Sequence, residues 1–93
     1  MIEKTIERKL VDMARKTGGL ALKFVSSGFD GVPDRIVLFP RGCVGFVELK
    51  SPGKKMRPLQ VRRKKQLESL GFKVFCINGT EQIEEVLDEI RSS

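Results

Sequence analysis

The sequence predicts one α/β domain, a small mixed sheet flanked by helices in the order αβββαβα. Three observations predict it. Residues 2–16 space their apolar side chains by three and four. Two apolar runs, 34–39 and 43–50, flank the short Pro40-Arg41-Gly42 connection. A basic stretch, 59–70, then separates them from a fourth apolar run at 72–77, so the last strand is reached through a helical crossover. At 93 residues, 1–93 is the length of a single domain.

Each element has its own local reason. Ile2, Ile6, Leu10, Met13 and Ala14 form the apolar face of the first helix, and Gly18-Gly19 ends it. LALKFVS, residues 20–26, reads as a strand, and the following SGFDGVP as a loop. DRIVLF and CVGFVELK form a hairpin around a connection containing Gly. Pro58 suits the first turn of the basic helix and Gly71 its end. FKVFCI is the fourth strand, Asn78-Gly79 a turn, and Thr80 the expected N-cap of a last helix running to about Arg91.

Composition narrows the chemistry. There is no His, Tyr or Trp, which removes Ser-His-Asp and Cys-His triads, His-ligated zinc, His general bases and tyrosine nucleophiles. Cys43 and Cys76 sit in strand-like surroundings and read as buried thiols of a cytoplasmic chain. No run approaches a membrane span, and MIEKTIERK lacks an apolar signal core, so cytoplasmic localisation is expected. The net charge is +6 and unevenly placed. From Lys50 to Lys65 stand Lys50, Lys54, Lys55, Arg57, Arg62, Arg63, Lys64 and Lys65 without one acid. A basic segment in an otherwise slightly acidic chain points to a polyanionic partner. A solvated helix face is the plainer reading of the same charges. A membrane surface is disfavoured, because the segment lacks an apolar anchoring face.

The hairpin brings the chemistry together. If its strands pair about Arg41, Asp34 lies opposite Glu48, and strand alternation places Lys50 on the same face as Glu48. Two neighbouring carboxylates repel, and a divalent cation is the simplest remedy. Oxygen ligands favour Mg²⁺ or Mn²⁺ over Zn²⁺. Turn formation by Asp34, or pairing of Glu48 with Lys50 or Arg35, is the plainer alternative.

Pro33-Asp34, then thirteen intervening residues, then Glu48-Leu49-Lys50 resembles the PD-(D/E)xK nuclease signature. IERKLV, KFVSSGFDGVPDRIVLF, FVELKSPGKKMRPLQ and LGFKVFCING resemble in order the blocks of the VRR-NUC (virus-type replication-repair nuclease) family, over about residues 3–80. The resemblance implies a restriction-endonuclease-like αβββαβ core with a C-terminal helix. It further implies a Mg²⁺- or Mn²⁺-dependent DNA endonuclease related to Holliday-junction resolvases, of stand-alone phage or bacterial type. By the same resemblance Asp34 and Glu48, with the Leu49 carbonyl, hold the metal. Lys50 lies beside the scissile phosphate, and Gln60 borders the site.

The family also places a Glu on the first helix, where Glu7 is preferred and Glu3 is the alternative; either as a surface residue pairing Lys4 or Arg8 is the plainer reading. Ser26, Ser27, Gly28 and Gly31 resemble a loop that lies close to DNA. Lys23, Lys54, Lys55, Arg57 and Arg62 are candidates for phosphate contacts, and Phe29 for base stacking. Branched DNA is the expected partner and a homodimer the expected form, because cutting both strands of a symmetric junction needs two sites. No small-molecule cofactor is expected. A non-catalytic nucleic-acid-binding module on the same fold is the competing reading.

Overall fold

The computed structural model describes residues 2–92; Met1 and Ser93, the ends of the expected 1–93 domain, lie outside the described residues. The elements are α1 (Glu3–Lys16), β1 (Leu20–Lys23), β2 (Arg35–Phe39), β3 (Cys43–Leu49), α2 (Pro58–Ser69), β4 (Lys73–Ile77) and α3 (Ile83–Arg91). They follow the expected αβββαβα order. The four strands lie side by side in sequence order, with β1–β2 and β2–β3 antiparallel and β3–β4 parallel. The sheet is mixed because α2 carries the chain back across it between β3 and β4.

The hairpin register is the one expected: Arg35 pairs with Val47 and Phe39 with Cys43. Its Pro40-Arg41-Gly42 connection is a short 3₁₀ segment in which Arg41 and Gly42 both adopt positive φ, 70° and 73°. β1 is shorter than the 20–26 expected, ending at Lys23. One further ladder bond, from Phe24 N–H to the Asp34 carbonyl at 2.9 Å, precedes the departure of the loop. Thr80 is not the N-cap of the last helix. It opens a 3₁₀ turn, 80–82, and α3 starts only at Ile83. Gln82, the residue before α3, makes no side-chain cap to that helix; its Oε1 closes the preceding turn by accepting the N–H groups of Asn78 and Gly79 at 2.8 and 3.2 Å. A longer amide reaches backward over the turn where a Thr hydroxyl cannot.

The two faces of the sheet differ. On one, α1 and α3 bury Ile6, Leu10, Ala14, Ile83, Leu87 and Ile90 against Val37, Phe39, Val47, Leu49 and Ile77. α3 approaches so closely that a Cβ on Gly45 would stand 2.6 Å from Ile90, so only glycine fits there. The opposite face receives α2, which packs against β4. Towards the other edge that face carries Leu20, Leu22, Ile36, Leu38 and Val44; Leu20 and Leu22 are 53 % and 44 % exposed. Among the described residues no helix is long and apolar enough to cross a membrane. Neither Cys43 nor Cys76 is in a disulfide; Cys43 is buried and Cys76 only half-buried.

Candidate active site

Alternation along β3 sends Val44, Phe46, Glu48 and Lys50 to the α2 face. Phe46 is sealed by aromatic neighbours, with ring centroids 5.3 Å from Phe24 and 5.6 Å from Phe72. One step further along the strand, Glu48 is only 2 % exposed. A buried carboxylate needs partners, and Glu48 has them on one oxygen only. Its Oε2 accepts from Gln60 Nε2 at 2.5 Å and lies 3.5 Å from Lys50 Nζ. Its Oε1 is buried with no hydrogen-bond partner.

Asp34 stands just before β2, opposite Glu48 by continuation of the register. Its Oδ2 accepts the N–H of Leu49 at 2.8 Å, which pins the carboxylate against the end of β3. Burial first, and then the negative charge of Asp34, pushes the Glu48 carboxyl up to about 7, with Lys50 pulling the other way. Lys50 itself is anchored through its backbone N–H to the Ile77 carbonyl at 2.9 Å. Gln60, buried in the first turn of α2, is held by a second contact: its Oε1 accepts the Arg57 N–H at 2.8 Å. The amide therefore presents its NH₂ to Glu48. Asp34, Glu48, Lys50 and Gln60 lie together, the first three where the hairpin register puts them and Gln60 where only the family resemblance had put it.

The helical carboxylates are placed differently. Glu7 is engaged by Arg35, whose Nε donates to its Oε2 at 2.9 Å while Nη1 donates to the Ala21 carbonyl at 3.1 Å. Arg35 follows Asp34 in the chain and so turns to the α1 face. Glu3, one turn earlier, is exposed. Among the described residues no group of three or more acidic or thiol side chains is set to hold a metal ion. The acidic pair with its orphaned Oε1 is the feature that fits a cation: a hard, oxygen-seeking ion would supply that atom's missing partner and neutralise two facing carboxylates.

The surroundings divide by charge. Lys54, Lys55, Arg57 and Arg62 are exposed around and beyond the first turn of α2, and Ser27 and Gly28 are exposed beyond β1; Lys23 is exposed too, but as the register partner of Arg35 it lies on the α1 face, away from Glu48. Ser26 is half-buried and its carbonyl accepts the Phe29 N–H at 3.3 Å. Behind the sheet, Glu81, Glu84, Glu85, Asp88 and Glu89 line a shallow acidic groove along α3. A polyanion is thus repelled from the α3 side and attracted to the side that carries Glu48 and Lys50. Phe29 has one ring face covered by the Arg63 guanidinium, 3.8 Å from its centroid.

Two neighbours of the site were not read from the sequence. Cys76 is the register partner of Glu48 on β4, and burial together with the Glu48 charge pushes its thiol pKa up. That raised thiol is a poor nucleophile. Arg35 was visible only as a possible partner for Glu48, because its true partner lies 28 residues earlier.

Two similar proteins identify the class to which this fold belongs, a nuclease-type domain. No family model matches the chain. A solved structure described as a VRR-NUC domain is similar over 92 % of this chain and 94 % of its own, with a TM-score of 0.85 and 29 % identity. A protein named "Putative nuclease p44", of Acyrthosiphon pisum secondary endosymbiont phage 1, is 48 % identical over 77 residues, 83 % of each chain. The chain belongs to the VRR-NUC nuclease family, and its activity class is that of a nuclease acting on nucleic acid.

Proposed function

We propose that the chain is a Mg²⁺- or Mn²⁺-dependent endonuclease that hydrolyses phosphodiester bonds of branched DNA, in the manner of a Holliday-junction resolvase. The observation that carries the reading is Glu48: a buried carboxylate with one oxygen unpartnered, facing Asp34 and flanked by Lys50. Asp34, Glu48 and the Leu49 carbonyl would hold the metal. When bound, the ion supplies Lewis-acid activation of water and charge neutralisation at the phosphate. The chain's own groups do the rest. Gln60 fixes the orientation of Glu48 through one hydrogen bond and anchors itself on Arg57 through the other. Lys50 stands where it can orient a water and balance the negative charge that builds on the phosphorane. Glu7 acts at one remove, by holding Arg35 beside Asp34. Lys54, Lys55, Arg57 and Arg62 offer phosphate contacts along α2, and Ser26, Ser27 and Gly28 do so from the loop after β1, whereas Lys23 on the α1 face could reach only a strand that wraps the sheet edge.

We further propose that the active form is a homodimer. Sheet faces exposed to water normally alternate to polar residues, yet the outward positions Leu20, Leu22, Ile36, Leu38 and Val44 are all apolar. That uncharged patch suits self-association of a chain carrying +6. The test is incubation of the purified chain with Mg²⁺ or Mn²⁺ and a matched panel of four-way, flapped, splayed and linear DNAs. Metal-dependent cutting of the branched members supports the reading; a panel left intact overturns it.

A further inference from the structure

A single ridge of α2 reaches both sides of the acidic pair. Gln60, Arg63 and Gln66 are three residues apart, so they project from the same side of the helix. Gln60 holds Glu48. Arg63 instead grips the loop that leads into Asp34. Its Nε donates to the Asp30 carbonyl at 2.7 Å, its guanidinium lies over the Phe29 ring at 3.8 Å, and Gln66 Oε1 accepts from its Nη1 at 2.9 Å. The loop is pressed onto the same helix at Gly31, where φ is +86° and an added Cβ would stand 2.7 Å from Leu59. From Gly31 only Val32 and Pro33 separate this clasp from Asp34.

We propose that Arg63 is a positioning residue for the metal site. By clamping residues 29–31 onto α2 it sets the place of Asp34 relative to Glu48, which the same helix holds through Gln60. This rests on the proposed metal-dependent reading, but the assignment is distinct from a phosphate contact. The guanidinium is committed to a ring face, a carbonyl and an amide, a combination that a lysine ammonium cannot reproduce. Neighbours that orient metal ligands commonly change metal affinity by about 10- to 100-fold when removed.

The experiment compares the parent chain with Arg63→Ala and Arg63→Lys, without DNA, by two readouts. One is Mn²⁺ affinity from titration calorimetry. The other is amide hydrogen exchange across residues 28–34, with circular dichroism to confirm the fold. Both variants are expected to exchange roughly tenfold faster in that loop and to bind Mn²⁺ about tenfold or more weakly. Full recovery with Lys overturns the proposal, because charge alone then suffices. Unchanged Mn²⁺ affinity with weakened DNA binding also overturns it, making Arg63 a phosphate contact. If the parent neither binds Mn²⁺ nor cuts DNA, the metal-dependent reading fails, and unaltered loop exchange in the variants would then show separately that the clasp fails too. A variant that loses its fold is replaced by Gly31→Ala, which disturbs the same docking from the loop side and must show the same two changes.

Discussion

Replacing Glu48 by Gln should stabilise the metal-free protein while destroying its chemistry. Glu48 ionises near its ordinary 4.5 in the unfolded chain, but its folded value is pushed up to about 7 by burial and by Asp34. Between those two pH values the folded state binds more protons than the unfolded state, so stability falls as pH rises through the window. At about 1.4 kcal/mol per pH unit, the full loss by pH 8 is about 3 kcal/mol. A Gln keeps an oxygen for the Gln60 Nε2 bond and points its amide where Oε1 now lacks a partner, with the Asp34 carboxylate as an available acceptor. It carries no charge, so the pH-dependent loss disappears. The assay is urea unfolding at pH 5 and pH 8 without divalent ions. The parent should be about 2–3 kcal/mol less stable at pH 8 than at pH 5, where part of the loss has already occurred, and most of that difference should vanish in Glu48→Gln. Using the difference between the two pH values cancels groups common to both proteins. An unchanged pH difference, or a variant less stable than the parent at pH 8, would refute the placement of Glu48 as a strained buried acid.

Other perturbations follow from the same geometry. Gln60→Ala removes two hydrogen bonds, one to a buried carboxylate, and should cost about 2–4 kcal/mol in unfolding experiments, with slower DNA cutting. Glu7→Ala and Arg35→Ala should each cost about 1–2 kcal/mol, with a measurable coupling in the double variant, while Mn²⁺ affinity stays within about threefold; a much larger drop for Glu7→Ala would make it a metal ligand. Leu22→Arg places a charge on the apolar sheet face at a position already 44 % exposed. Light scattering should show that it converts a dimer to a monomer without loss of helical signal, and an unchanged mass would move the interface elsewhere.

The parts of the structure legible in the sequence are those governed by short-range rules. The first helix follows from Ile6, Leu10 and Ala14 recurring on one face, and all three are fully buried. The hairpin register followed from a three-residue connection, and with it the meeting of Asp34, Glu48 and Lys50. What was not legible depends on distant contacts. The parallel register that puts Cys76 beside Glu48 is set by how α2 packs, which no local pattern encodes. Glu7 and Arg35 form a bond spanning 28 positions. Arg63 stands among four consecutive basic residues that look equally solvated, and only the docked 29–31 loop singles it out. Thr80 resembled a cap by residue type, but a 3₁₀ turn intervenes, and α3 begins at Ile83 without a side-chain cap.

On the proposed reading, Asp34 and Glu48 together hold a divalent ion used to cut DNA. This is tested most directly by measuring Mn²⁺-dependent cleavage of a four-way DNA junction by the parent chain and by Asp34→Asn, each at matched DNA occupancy. The parent should cut, chelation of the metal should stop it, and Asp34→Asn should lose about three orders of magnitude in rate, equivalent to several kcal/mol of transition-state stabilisation, with DNA affinity preserved. Cleavage by Asp34→Asn at the parent's rate, or cleavage by the parent without divalent ions, would contradict the account.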